Sequence, residues 1–184
     1  LYCRLTPKDQ RKYGMAAALS VLTLAVVALL PILWRRNIAL QVAAIDVGQG
    51  ACTFLASGGE TALVDCGSAN SYIDPGSEAA DALNTWGYFP LDRVILTHYA
   101  YAHISGLEVL VARMEVEEIL VPLPREEDGE ASRQVAGLAE EYGAALQYVT
   151  GECREELGTA SLTIFAPGGD GSSNEEGLSV LCTK

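Results

Sequence analysis

The only two histidines of the chain, His98 and His103, follow directly after an apolar run rich in β-branched residues. Such a run, at 93–96, predicts a buried strand, and a helix is predicted from 105 to 114. Neutral imidazole nitrogens in a loop after a buried strand can bind zinc, but a tight zinc site uses three or four ligands. The pattern therefore predicts either a metal site that needs further ligands or two polar loop residues bonded to the backbone.

Two aspartates at predicted strand ends could support this loop. Asp65 closes the third predicted strand, where its carboxylate could orient a ligand histidine or bond its own turn beside Gly67. Asp46 precedes a tight turn at 48–50 and could face the same mouth or serve as a hairpin-turn carboxylate. The sequence leaves both alternatives open for each residue.

The elements that must position these side chains indicate an α/β layered domain. Strands at 38–47, 51–56 and 61–64, joined by tight glycine turns, predict an antiparallel meander. Beyond the meander, helices are predicted at 77–86, 105–114 and 131–142, strands at 93–96, 118–121, 146–149, 161–165 and 178–182, and a glycine-rich loop at 167–173. A meander followed by alternating helices and strands is typical of layered α/β folds.

A run of twenty residues, 15–34, has only Ser20 and Thr23 as polar members. A helix of about 20 residues spans the roughly 30 Å of a bilayer core, so 15–36 is predicted to be a transmembrane helix. The length of the run and the arginines directly after it disfavour a secretory signal peptide. Four basic residues precede the run and two follow it, which predicts a cytoplasmic flank at 1–14 and an extracytoplasmic domain at the cell membrane.

Charge and cysteine usage restrict the function further. The net charge is −12, yet residues 1–36 carry six basic residues and one acidic residue, so residues 37–184 are strongly acidic. A domain this acidic repels a phosphate backbone unless a metal ion or a basic neighbour intervenes. The five cysteines are widely spaced and form neither a paired zinc pattern nor an evident disulfide framework. Cys52, Cys66 and Cys182 are predicted to be small buried hydrophobic residues.

Taken together, these segments resemble the metallo-β-lactamase superfamily. More narrowly, they look like the carboxyl-terminal domain of ComEC-type DNA-internalisation (competence) membrane proteins, which lies after membrane helices. The matching segments are 44–50, 61–67, 94–98, 103–107 and 174–181. The resemblance implies an αββα sandwich at 37–184, of which this chain holds the amino-terminal half with the carboxyl-terminal part missing, preceded by one transmembrane helix.

The same resemblance assigns roles to single residues. The superfamily loop reads histidine, any residue, histidine or aspartate, any residue, aspartate, histidine. His98 and His103 match its first and last positions, whereas Ala100 and Ala102 stand at the two ligand positions between them. Asp65 matches the strand-end aspartate that supports the loop. Asp46 is assigned the same supporting role. The resemblance therefore implies a degenerate metal site in which zinc or another divalent metal binds weakly or not at all.

Three functions are compatible with these residues. The first is a component of a DNA-uptake channel whose degenerate domain has a structural role. The second is a membrane-tethered metal-dependent hydrolase or nuclease, and the third is a non-catalytic ectodomain that docks another protein. The expected partners are the membrane, DNA by family resemblance, and other domains of the same protein or of the uptake machinery.

Overall fold

A computed structural model of the 184-residue chain describes residues 7–166 and 177–184, so the glycine-rich loop predicted at 167–173 lies outside the described residues. The helices are α1 Pro7–Arg36, α2 Pro75–Trp86, α3 Tyr101–Ile104, α4 Leu107–Arg113 and α5 Gly129–Tyr142, with a short 3-10 helix at Glu126–Asp128. The strands are β1 Gln41–Ala44, β2 Gly50–Ser57, β3 Glu60–Ser68, β4 Leu91–Ile95, β5 Val116–Pro122, β6 Ala145–Val149, β7 Cys153–Leu157, β8 Ala160–Phe165 and β9 Ser179–Thr183.

The first helix is a candidate membrane span. It has 30 residues, which corresponds to about 45 Å at 1.5 Å per residue. Its Lys12–Arg36 part has a mean hydropathy of 2.5, and its most apolar window is not buried against the rest of the protein. By length and composition alone, α1 can cross a membrane.

Six strands form the large sheet in the order β1-β2-β3-β4-β5-β6. The first three pair antiparallel, which confirms the predicted meander, and β3 to β6 pair parallel. The first strand is shorter than the predicted 38–47, because the chain turns at Asp46 and Gly48. A register shift between Ala51 and Thr53 of β2 marks a bulge in β3 between Val64 and Gly67.

Three antiparallel strands form the small sheet in the order β7-β8-β9. Its first strand was not predicted. Arg154 and Glu156 are exposed while Leu157 is buried, so β7 shows only a short alternation dominated by charge.

Two apolar cores hold the layers together. One lies between the large sheet and helices α2, α4 and α5, and contains the fully buried Phe54, Leu83 and Leu110. The other lies between the two sheets, and its members are Leu55, Ala62, Ile95, Leu120, Val149, Leu157, Leu162, Ile164 and Leu178. The described layers are thus helices, large sheet and small sheet, which agrees with the layered α/β prediction.

The helix predicted at 105–114 is present as α4, Leu107–Arg113, and the short helix α3, Tyr101–Ile104, that precedes it was not predicted. The Gly106 N–H donates to the Cys66 carbonyl at 2.9 Å, and a Cβ on Gly106 would meet the Gly76 nitrogen at 2.5 Å. This close approach of three backbone segments ends α3 and starts α4, and it fixes α3, which carries His103, against the end of β3.

An ion-pair cluster joins the two sheets around Arg93 of β4. Its guanidinium lies 3.2 Å from Glu60, 3.6 Å from Glu118 and 3.9 Å from Glu155, which belong to β3, β5 and β7. One cation therefore faces three carboxylates. Burial and the neighbouring Glu155 raise the pKa of Glu118, in spite of the opposing effect of Arg93.

Glu118→Gln is expected to change how stability depends on pH. A carboxyl group with a raised pKa in the folded state binds more protons there than in the unfolded chain, so the free energy of unfolding falls as pH rises above 4.5, the ordinary value. The glutamine variant lacks this loss, so its stability relative to the parent should increase between about pH 4 and pH 7. Urea unfolding across that range measures the difference. If the stability of the variant relative to the parent fell as pH rises, the attraction between Glu118 and Arg93 would be the dominant effect.

Candidate functional site

The site is built around Asp65, at a bulge within β3, which continues beyond the predicted end of the strand to Ser68. Its backbone has φ 61°, a left-handed conformation that aspartate adopts more readily than most residues. The bulge takes Asp65 out of the regular alternation of the strand. The residue is 3% exposed, so its carboxylate needs partners within the protein.

Those partners come from the loop after β4. Asp65 Oδ1 accepts a hydrogen bond from the Thr97 N–H at 2.7 Å, and Oδ2 accepts one from the Thr97 hydroxyl at 2.8 Å. Oδ2 also lies 2.8 Å from His103 Nδ1. An ionised carboxylate only accepts hydrogen bonds, so Nδ1 of His103 carries a proton, and Nε2 is the ring nitrogen left outside this contact.

His98 is oriented through the same threonine. Its Nδ1 lies 2.9 Å from Thr97 Oγ1, whose single proton is already donated to Asp65. Nδ1 of His98 must therefore donate, which again leaves Nε2 as the atom free to bind a ligand. The two imidazole rings lie 3.7 Å apart between centroids, tilted by 46°. Burial first, and then the adjacent His103, lower the pKa of His98, which favours the neutral ring.

The structure thus brings together Asp65, His98 and His103, the residues that the sequence analysis singled out for the loop. Asp46 is exposed and accepts a hydrogen bond from the Gly48 N–H at 3.0 Å, which is the contact of a turn carboxylate. The role of Thr97 was not predicted from the sequence. Its position between a predicted buried strand and a histidine could have indicated a hydroxyl group that orients the loop.

A further contact comes from a segment remote in sequence. The Leu178 N–H donates to the Thr97 carbonyl at 2.7 Å, and a Cβ on Gly177 would lie 3.3 Å from His98 Nδ1. Nothing in the local sequence indicates this approach, because it depends on how β9 joins the small sheet.

A family model described as the metallo-beta-lactamase superfamily matches residues 45–172, which is most of the chain and includes the whole histidine loop. The chain belongs to the metallo-β-lactamase superfamily. No curated protein sequence matches it significantly.

Solved metallo-β-lactamase folds show the same architecture. A metallo-β-lactamase from Cronobacter sakazakii is 12% identical, with a TM-score of 0.56 over 81% of this chain and 59% of the other. The metallo-β-lactamase fold protein YhfI of Bacillus subtilis is 18% identical, with a TM-score of 0.52 over 78% and 57%. The chemotaxis sensor ODP, whose structure is described as its peroxy diiron species, is 11% identical, with a TM-score of 0.53 over 78% of this chain and 55% of the other. At these identities the likeness concerns the fold, and the chain spans less than two thirds of each of these proteins.

The side chains of the described residues do not by themselves make up the two-metal centre that the superfamily implies. Ala100 and Ala102 offer methyl groups at the two central loop positions, and a methyl group cannot coordinate a cation. Asp65 already accepts hydrogen bonds from three donors, so its oxygens face the loop that they orient. Within residues 7–166 and 177–184, no three His, Cys, Asp or Glu side chains are grouped so as to hold a metal ion. The two imidazoles fall short of the three or four ligands of a tight zinc site.

Beside the site, a cleft opens between the two sheets. Its volume is about 270 Å³, and Thr97 lines it together with residues of β2, β3 and β9. The lining residues are Thr53, Leu55, Val64, Thr97, Val180 and Cys182. This volume lies just below the roughly 300–1,000 Å³ of common small-molecule sites.

Proposed function

We propose that this chain is part of a ComEC-type membrane protein of DNA uptake, and that its metallo-β-lactamase domain has a structural or docking role. The observation that carries the proposal is the contrast within one loop. The hydrogen bonds that orient both imidazoles are in place, whereas the ligand positions between them are occupied by Ala100 and Ala102. A loop whose architecture is retained without its ligand set is suited to contact other parts of the protein.

One further feature supports DNA uptake. The segments of the domain that match the ComEC-type pattern lie directly after α1, a helix apolar enough to cross a membrane. The strong acidity of the domain disfavours direct contact with DNA, which would need a basic neighbour or a metal ion. We propose that the protein lies in the cell membrane with the domain on the extracytoplasmic side, because four basic residues precede the apolar run and two follow it. Other parts of the uptake machinery would then contact the DNA.

A metal-dependent nuclease is the second candidate. It is favoured by the two Nε2 atoms, which the Asp65–Thr97 network leaves free at adjacent rings. This function needs ligands in addition to those that the described residues supply.

An uptake assay separates the two candidates. In a transformable host that carries the full-length protein, deleting its gene should abolish internalisation of labelled donor DNA. A His98→Ala, His103→Asn double variant should leave both internalisation and breakdown of the non-transported strand unchanged. Loss of strand breakdown alone in the double variant would favour the nuclease. Normal internalisation after gene deletion would contradict the DNA-uptake proposal.

Ala100→His combined with Ala102→Asp is expected to create metal binding. The two substitutions would add one imidazole and one carboxylate to His98 and His103, which makes a set of four ligands of the type that zinc prefers. Elemental analysis after purification without chelator should give about one zinc ion per chain for the variant, as in sites with three or four protein ligands, and less for the parent. Ala112→His, at an exposed position of α4, is the matched control and should leave the zinc content unchanged. Full occupancy in the parent would mean that ligands come from elsewhere.

A further inference from the structure

The junction between α1 and the domain contains almost no linker. Beyond the end of the helix, the Ile38 carbonyl accepts from the Gly58 N–H at 2.9 Å. The next carbonyl, that of Ala39, accepts from the Ser57 hydroxyl at 2.6 Å and from the Thr159 hydroxyl at 3.2 Å. The chain is thus bonded to turns of both sheets within three residues of the helix end.

Side chains of the last helical turn also contact the domain. The Arg35 guanidinium carbon lies 5.3 Å from the centroid of the Tyr88 ring, within the range of a cation–π contact. A Cβ on Gly87 would lie 2.6 Å from Arg35 Nη2, and one on Gly59 would lie 3.3 Å from Arg36 Cγ. The Tyr88 hydroxyl donates to Gln41 at 2.8 Å, so the ring under Arg35 is itself held in place.

The segment that Arg35 contacts is flanked by exposed aromatic side chains. We call residues 86–89 the aromatic loop. Trp86 before Gly87 is 38% exposed and Phe89 after Tyr88 is 53% exposed, whereas Tyr88 itself is buried. Tryptophan and phenylalanine side chains enter the boundary between lipid headgroups and acyl chains, and Trp34 in the last turns of α1 is 65% exposed at the same end of the helix.

Strand direction places the histidine site at the opposite end of the sheet. The aromatic loop precedes β4 and the Gly58–Gly59 turn precedes β3, and these two strands run parallel. Asp65 lies in the carboxyl-terminal half of β3, and Thr97 follows the carboxyl end of β4. At about 3.3 Å per residue, the six steps from Leu91 to Thr97 separate the two ends by roughly 20 Å.

We propose that the domain is mounted directly on the lipid surface, with the aromatic loop in the headgroup region and the histidine site turned away from the bilayer. The ligand of this surface is the lipid interface itself, because the loop is continuous with the end of a helix long and apolar enough to cross a membrane. The acidic domain gains little from charge attraction to lipid, so aromatic side chains and the two arginines of the junction make the contact. This inference depends on the membrane anchoring in the proposed function.

The chain contains two tryptophans, which allows each half of the inference to be tested separately. Trp34→Phe leaves Trp86 as the only reporter of the aromatic loop, and Trp86→Phe leaves Trp34 as the reporter of the helix end. The full chain is reconstituted in phosphatidylcholine vesicles that contain a lipid spin-labelled at its headgroup, and tryptophan fluorescence is recorded. Both reporters should be quenched by the labelled lipid.

Quenching of Trp34 without quenching of Trp86 would overturn the mounting while the membrane anchor stands. Absence of quenching at both positions would overturn the anchor and the mounting together. Adding Phe89→Ser to the Trp86 reporter should cause loss of lipid quenching, and retained quenching would contradict the role of the aromatic loop. Tyr72→Ser, at a side chain that is 97% exposed, is the matched control and should leave the quenching unchanged. Because Phe89 is itself half exposed, circular dichroism should show an intact fold in each variant.

Discussion

Asp65→Ala is expected to destabilise the domain by about 3–5 kcal/mol, the usual cost of removing one partner from a buried charged network. The carboxylate satisfies the Thr97 N–H, the Thr97 hydroxyl and His103 Nδ1, and all three lose their acceptor in the variant. Alanine at φ 61° adds backbone strain of about 1 kcal/mol. Since domains are stable by only about 5–15 kcal/mol, urea unfolding should show a greatly lowered midpoint.

Asp46→Ala is the matched control for this prediction. Asp46 is also an aspartate at a strand end, but it is exposed and accepts a single hydrogen bond from Gly48, so its loss should cost about 1 kcal/mol or less. Asp65→Asn keeps the size of the side chain, and its loss of stability should lie between those of Asp46→Ala and Asp65→Ala. The amide NH2 group of asparagine would face the Thr97 and His103 groups that also donate hydrogen bonds. Equal effects of Asp46→Ala and Asp65→Ala would show that the three hydrogen bonds to Asp65 add little.

The energetics of this network explain how the loop can persist without a full ligand set. Asp65 is buried and bonded to Thr97 whether or not an ion binds to the imidazoles. A stabilising role in folding would therefore preserve Asp65 and His103 even when metal binding is lost. Ala100 and Ala102 carry no comparable contact, so nothing in the fold demands polar residues there. The proposed structural role follows from this difference.

Much of the fold could be predicted from local sequence signals. The meander was predicted because turns at 48–50 and 57–59 separate apolar runs, and the structure pairs these strands antiparallel. Helix α2 was predicted at 77–86, and Asp74 just before it accepts hydrogen bonds from the Ser77 N–H at 3.1 Å and the Ser77 hydroxyl at 2.8 Å. Such signals are local, so a sequence shows them directly.

The features that sequence reasoning missed depend on distant contacts. Strand β7 is mainly charged, and its Glu155 is half-buried because Arg93 of the other sheet lies 3.9 Å away. The short helix α3 was not predicted, and the close packing at Gly106 that separates it from α4 depends on Cys66 and Gly76, which are distant in sequence. Cys182, predicted to be buried with Cys52 and Cys66, is only half-buried because it lines the cleft between the sheets.

The residues of the site also divide into those with a local sequence signal and those whose role depends on distant contacts. His98 and His103 were found because histidines after a buried strand are a local pattern. Asp65 was found because it follows the predicted strand at 61–64, although β3 continues to Ser68. Their mutual contact required β3 and β4 to be parallel neighbours, which the sequence does not state. The roles of Thr97 and Gly177 follow only from the three-dimensional arrangement. The Thr97 hydroxyl contacts both Asp65 and His98, and Gly177, which follows β8 in the chain, approaches His98.

Gly67→Ala is expected to destabilise the domain by about 3 kcal/mol, at the upper end of the usual cost of overpacking a core. A Cβ at this position would overlap the backbone of Ala102 and His103, and the carbonyl of Gly67 is itself packed against Gly50. Rigid backbone lies on both sides, so neither neighbour can relax by changing a rotamer. The substitution should also push α3 away from β3 and lengthen the contact between His103 and Asp65. Urea unfolding measures the stability, and the His103 ring proton shifts in NMR spectra report the contact.

Gly137→Ala provides the opposite result in the same chain. Gly137 lies in α5 with no atom near the place of a Cβ, and alanine there should stabilise the domain by about 0.5–1 kcal/mol, because glycine is a poor helix former. The two variants make the same chemical change, so the difference between them isolates the close approach of α3 to β3. If both substitutions had small effects of the same sign, the tight packing behind the histidine loop would be wrong, and with it the fixed orientation of His103 towards Asp65.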